Sequence, residues 1–436
     1  MEFFLIILFG FISFSMFIWG YLKENNRFLQ YPFIASCAWC YFVLPQTIGV
    51  YLNKNTLPNG VREDGGLIIT IIFCIICLLM SFAGYQKGKE KASFKKINTK
   101  MATISEKKIF ISGLLLGLIA FYGYSGLAKL SGGYIQYFST SGNYNLTWTG
   151  LPVIYSFFLA LIYPSILLQI ISYFKRKKFY KLIILFISSL LPLCMILFLG
   201  RRSHLLYFLS VIGISYYFSS KRAPSKILVT LLLMFCVLAI ILMPEYRKYS
   251  QIGLDNKEIL NIDISENVNN IFSGKTSREF SIAVTLIQTH NEVLKFNYGF
   301  VYINRIIQDF IPAMVVGRKL KNILFLKTYD VGKLTIQEYQ WDRNRYFYIA
   351  SMGFTEVFQQ FWYFGCFMFY LIGYFYGYLW TLAEKDHFPS ILFYSYLTPQ
   401  IILTITNDFG LIFSKLVYGI IFLFPVYFFV KYKIKF

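Results

Sequence analysis

Charge is what this sequence has least of. Only 14% of its 436 residues are Asp, Glu, Lys or Arg, about half the share in an average soluble domain. Acids are the scarcer kind, 21 against 42 Lys and Arg, which leaves a formal charge of +21. Much of that excess lies in short linkers between apolar runs, where positive charge sets membrane topology, so no nucleic-acid partner is expected. Histidines number three, His204, His290 and His387, with no H-x-x-H spacing among them. Carboxylates close enough together for a divalent cation reduce, in the linkers read as outer, to Glu63-Asp64. That pair, within Val61-Arg62-Glu63-Asp64-Gly65-Gly66, reads as a solvated turn, with a metal-holding first outer loop as the alternative. No metal or other cofactor is therefore expected. Also missing are an internal repeat, a Gly/Ser linker and any alternating run long enough to suggest a β-barrel. Two C-x-x-C spacings, Cys37/Cys40 and Cys74/Cys77, occur among the seven cysteines. Both lie in apolar runs, where a thiolate is costly, and read as small buried residues rather than zinc or redox ligands.

What is present is apolar: 57% of the residues are hydrophobic and 20% aromatic. A helix needs about 20 apolar residues to cross the bilayer core. Eleven runs qualify: 3–22, 31–51, 67–85, 109–130, 151–174, 182–200, 204–219, 227–243, 361–383, 389–408 and 411–430. The expected fold is an all-α polytopic membrane protein of about eleven transmembrane helices with a long outer loop. The first run has neither a basic segment before it nor a small-residue cleavage site after it, and is expected to stay as a span. Linkers 87–108 and 175–181 are crowded with lysine, which assigns them to the cytoplasm. Alternation then puts 23–30, 220–226, 384–388 and the C-terminal tail on the same side, and 52–66, 131–150, 201–203 and 409–410 outside. Three regions result: a membrane domain over 1–243, a large outer loop with short helices over 244–345, and an interfacial helix with the last three spans over 346–436. In the outer loop, Glu279 to Leu294 and Val301 to Phe310 have helical apolar spacing and are expected as amphipathic helices at the membrane surface.

The outer side keeps arginines that topology does not ask for. Arg201 and Arg202 stand in the turn Gly200-Arg201-Arg202-Ser203-His204. The planar guanidinium fork suits phosphate and pyrophosphate, with plain interfacial anchoring as the alternative. Arg247, Arg278, Arg305, Arg318 and Lys319 can fold onto the same surface, making a cationic mouth for a lipid diphosphate. Apolar character from Phe347 to Ala383 is nearly twice what one span needs. Residues 347–360 are thus expected as an interfacial or re-entrant helix carrying Glu356. A carboxylate in an apolar run is a functional candidate by default; the alternative is an acid that ties a helix down through Arg345 or Gln360. His204 and His290 remain as bases. The loop 131–150 mixes Tyr134, Tyr137, Tyr144 and Trp148 with amides and hydroxyls, a mixture that suits sugar rings or interfacial anchoring.

Four stretches together resemble a known family: G-R-R-S-H over 200–204, P-E-Y-R over 244–247, Y-G-x-x-Y-x-N-R-I-I-x-D-F-I-P over 298–312, and G-F-T-E-V-F-Q-Q-F-W-Y-F-G over 353–365. The pattern is similar to the Wzy-type O-antigen or oligosaccharide repeat-unit polymerases. That resemblance implies a C-class, metal-independent inverting glycosyltransferase in a bacterial inner membrane, with its site on the outer face. The donor would be the growing glycan on undecaprenyl diphosphate, and the acceptor the non-reducing-end hydroxyl of an incoming lipid-linked repeat. A chain-length regulator protein is a further partner left open. Departure of the diphosphate needs charge stabilisation, assigned to Arg201, Arg202, Arg247, Arg278, Arg305, Arg318 and Lys319. The attacking hydroxyl needs a base, assigned to Glu356, as base or as the group that orients it, with His290 second. An O-antigen ligase-like transferase and a flippase of lipid-linked oligosaccharide are the alternatives.

Overall fold

The computed structural model describes residues 1–22, 25–63, 65–96, 104–140, 151–199, 202–235, 238, 242, 278–311, 313–329 and 352–431. Among them every regular element is helical. The main helices are α1 (Glu2–Leu22), α2 (Tyr31–Leu52), α3 (Gly66–Ser93), α4 (Glu106–Leu130), α5 (Pro152–Lys175), α6 (Phe179–Leu199) and α7 (Arg202–Ser220). There follow α8 (Lys226–Phe235), α9 (Arg278–Val293), α10 (Phe300–Phe310), α11 (Gly353–Phe361), α12 (Cys366–Glu384), α13 (Phe388–Thr406) and α14 (Leu411–Lys431). With α11 and α12 taken as one, nine helices among the described residues are long and apolar enough to cross a membrane. Two of the eleven apolar runs fall outside that nine. One is α7, 19 residues long but opened by Arg202 and His204 and closed by Ser219 and Ser220; the other is α8, described over Lys226–Phe235 only. The architecture is that of a multi-pass membrane protein.

Glycine sets the tightest packing. Gly84 and Gly88 of α3 lie against the backbone of Tyr370 and Tyr374 on α12, while Gly373 and Gly377 of α12 lie against Ser81 and Tyr85 on α3. A methyl group at any of the four would overlap the carbonyl opposite. Lipid tails are as apolar as leucine, so helices in a bilayer associate by close backbone approach, and two reciprocal G-x-x-x-G faces provide it. Gly113, Gly117 and Gly123 let α4 approach α5 in the same way. In α2, Pro45 cannot donate to the preceding turn, and Leu44 N–H reaches back to Trp39 O, opening a π-turn over Trp39–Val43. Trp39 is fully buried there, between Phe9 and Phe354.

One expectation is corrected. Helix α9 does not lie on a surface: Phe280, Ala283, Val284 and Ile287 are buried, and the helix packs against α2, α3 and α11. Its polar residues do not prevent this, because Thr285 and Thr289 donate to the carbonyls of Ser281 and Thr285 at 2.9 and 2.8 Å, and Gln46 Oε1 accepts from Phe280 N–H at 3.2 Å. The segment expected as an interfacial or re-entrant helix over 347–360 is described from Gly353, and every residue from Gly353 to Gln360 is buried. A 3₁₀ turn over Trp362–Gly365 then separates it from α12, which starts at Cys366 rather than 361. Trp362 takes φ 55° at that break. Such a value is costly for a non-glycine residue and persists only where surroundings enforce it.

At one end of the bundle, lysines close helix termini. Lys385 Nζ donates to the carbonyls of Ala92 and Ser93 at 3.1 and 2.5 Å, and Lys95 Nζ to Tyr378 Oη at 2.6 Å. Lys221 pairs with Asp386 at 2.5 Å, and Lys108 reaches Phe429 O at 3.2 Å. Lys181 is only 1% exposed, pairs with Glu106, and donates to Ser172 O and Arg176 O, each at 3.2 Å.

Candidate functional site

At the opposite end, the two longest stretches of the family resemblance meet each other. The link from α9 to α10 is clamped onto α11: Asn297 N–H donates to Gln359 O at 3.2 Å, Tyr298 N–H to Gln360 O at 2.9 Å, and Gly299 N–H to Gln360 Oε1 at 3.1 Å. Leu294, Tyr298 and Trp362 all take positive φ around this clamp. Asn297 and Asn304 go on to hold the chain that follows, Asn297 Oδ1 accepting from Tyr329 N–H at 2.7 Å and Asn304 bonding both N–H and C=O of Leu326 at 2.8 Å. Gly353 fits under the Thr404 carbonyl, which seats α11 against α13.

The turn from α13 to α14, Asn407-Asp408-Phe409-Gly410, completes the cluster. Glu356 is 6% exposed, and its Oε2 accepts from Gly410 N–H at 3.1 Å. Gly410 N–H is shared with Asp408 Oδ1 at 2.9 Å, and a side chain on Gly410 would crowd Glu356, Asp408 and Tyr302 at 3.1 to 3.2 Å. Asp408 pairs with Arg305 Nη1. Arg305 Nε lies 3.9 Å from Asp309 one helical turn on, and Asp309 Oδ2 accepts from Ser414 Oγ at 2.6 Å. Tyr302 is buried beside Glu356 with no partner for its hydroxyl; burial first, and the carboxylate next, push that phenol well above its ordinary range. Glu356 is thus a buried acid that fixes the turn presenting Asp408 to Arg305. Its partner is the backbone of that turn rather than Gln360; Arg345 lies outside the described residues.

No family model, no curated protein and no solved structure matches the chain. The residues carry the argument alone.

Of the anticipated site residues, Arg305 and Glu356 come together. Arg318 and Lys319 are exposed on a short helix, Arg318–Leu324, whose Lys321 Nζ reaches Gln308 O on α10 at 3.0 Å. Arg202 and Arg278 open α7 and α9, their side chains outside what is described; Arg201, Arg247, Asp64, Tyr144 and Trp148 lie outside the described residues altogether. His290 is fully buried in α9, with Nδ1–H donating to Lys295 O at 2.7 Å and Nε2 unpartnered. Burial holds its imidazole below the usual histidine range. His204 Nδ1 lies 2.8 Å from the Tyr163 hydroxyl. Among the described residues no three His, Cys, Asp or Glu side chains could hold a metal together, and the six described cysteines are free. Asp309, Asp408 and Lys415 were not anticipated as site residues. The i,i+4 spacing of Arg305 and Asp309 was the available signal for one of them; Asp408 reads in sequence only as a polar turn.

Proposed function

We propose that this chain joins oligosaccharide repeats carried on a polyprenyl diphosphate, as a C-class transferase of the Wzy-type polymerase kind, at the outer face of a bacterial inner membrane. The observation that carries the reading is the meeting of stretches 298–312 and 353–365 on the α13–α14 turn, with Arg305 and Glu356 in one cluster at one end of an apolar bundle. A guanidinium held in place by Asp408 and Asp309 suits an anionic leaving group, whose departure needs preorganised positive charge. Glu356 then serves the attacking hydroxyl either as base or through the turn it holds. In this reading all eleven apolar runs span, and the lysine-capped end faces the cytoplasm.

The test is extension of a defined undecaprenyl-diphosphate-linked repeat by the purified protein in nanodiscs, with chelator present. A ladder of polymers is expected. Transbilayer movement of the repeat without extension would replace the reading with a flippase, and transfer only to a lipid A core acceptor would replace it with a ligase.

A further inference from the structure

Helix α14 carries a cation, Lys415, about one turn in from its start. Lys415 lies four residues past Leu411, about 6 Å into the helix, and no ion pair or hydrogen bond to its ammonium occurs among the described residues. Its Nζ instead stands 5.9 Å from the Tyr207 ring centroid and 5.7 Å from that of Tyr418. Asp309 and Arg305 act on it electrostatically from α10, but Asp309 is engaged by Ser414 and Arg305. The Tyr418 hydroxyl is spent on Phe157 O at 2.6 Å. Tyr207 Oη accepts from Gln400 Nε2, which leaves its own proton free to donate, and Gln400 Oε1 is buried without a partner. An ionisable side chain inside a membrane bundle is costly and marks a ligand or ion site by default.

We propose that Lys415, with the Tyr207 ring beside it, is a phosphate-binding group that takes the diphosphate of the lipid carrier near Arg305 and Asp309. The inference rests on the transferase reading and extends it: the anion would be held from α10 and α14 together, deeper than the surface arginines. Tyr207 also brings α7, the helix opened by Arg202, to the same place, its ring 5.0 Å from that of Tyr163, which bonds His204.

The test is binding of inorganic pyrophosphate to the full-length protein in zwitterionic nanodiscs, read by calorimetry. Lys415→Met keeps the length and apolar stem of the side chain and removes the charge. It should weaken pyrophosphate binding about 10–100-fold, the range for a hydrogen bond to a charged group, while Lys415→Arg recovers most of the loss. Melting of Lys415→Met without ligand should match or exceed that of the parent protein, because removing a partly buried charge that has no hydrogen-bonded partner relieves desolvation. Farnesyl diphosphate should compete with pyrophosphate. Unchanged pyrophosphate binding by Lys415→Met, or none by the parent protein, overturns the proposal. So does loss of pyrophosphate binding in phosphatidylglycerol nanodiscs through Lys415, which would assign the site to a bilayer headgroup. Extension is read separately. Binding through Lys415 without polymer would remove the transferase reading and leave the anion site; normal polymer from Lys415→Met with unchanged binding would do the reverse.

Discussion

The two ends of the bundle use the same kinds of charge for different ends. At the lysine-rich end several ammoniums find a carbonyl or a single acid: Lys385 on the last turn of α3, Lys108 on Phe429, Lys181 on Glu106 and the end of α5. Cations there complement helix C-termini, and the result is a set of closed caps. At the other end charges are chained rather than capped, from Glu356 through Gly410 and Asp408 to Arg305 and Asp309. Buried atoms stay unanswered around the chain, among them Tyr302 Oη, Arg305 Nε and Thr355 Oγ1. A buried polar network that is only partly satisfied costs stability. Unanswered buried atoms occur at the lysine-rich end as well, Arg27 Nη1, Ser219 Oγ and Trp380 Nε1 among them, so what separates a site from a fastening here is the chaining of charges, not the unanswered atoms alone.

The largest effect should come from Glu356→Gln. An acid that accepts a proton, or holds the turn that orients one, should lose about 10²–10⁴-fold in extension when neutralised, with membrane levels unchanged. If the Gln variant instead extends normally and only Glu356→Ala loses protein level, this end is a fastening as well. At the lysine end the opposite split is expected. Glu106→Gln leaves Lys181 buried and unpaired, which should cost about 3–5 kcal/mol of stability, read as loss of folded protein in chemical denaturation. Lys181→Met should come close to neutral in stability, and extension per folded molecule should match the parent protein in both variants.

How much of this was legible beforehand follows from the kind of signal each residue emits. Apolar length is a strong local signal, so nine of the eleven counted runs coincide, among the described residues, with helices long and apolar enough to span. Reciprocal glycines on α3 and α12 were open to the same reading, since G-x-x-x-G is a spacing rule, yet the partner helix of each is a tertiary fact. Burial of α9 escaped because Thr285 and Thr289 look polar in sequence and become silent once they bond their own helix. Arg305 stood out as an outer-loop cation and Glu356 as a carboxylate in an apolar run, but their partner turn is about a hundred residues from one and some fifty from the other. Lys415 reads in sequence as a single basic residue within the last apolar run; its lack of a hydrogen-bonded acid is visible only after packing.

The smallest effect sharpens the comparison through the two histidines. His290 is fully buried near the clamp, and burial lowers its pKa. His387 sits half-buried at the lysine-rich end, its Nδ1 2.8 Å from Ser390 Oγ, and burial followed by the Lys95 charge lowers its pKa as well. In both cases the unfolded chain takes up a proton near pH 6.5 while the folded one resists. Stability is therefore full above that pH and declines as pH falls from it towards the depressed folded value. Melting curves at pH 7.5 and 5.5 should show His290→Gln losing less on acidification than the parent protein. His387→Gln should show a smaller difference of the same sign, because its ring is less enclosed. Extension at pH 7.5 should survive His290→Gln within about twofold if Nε2 is a core atom, whereas a loss on the scale expected of a general base, about 10²-fold or more, would make His290 rather than Glu356 the base.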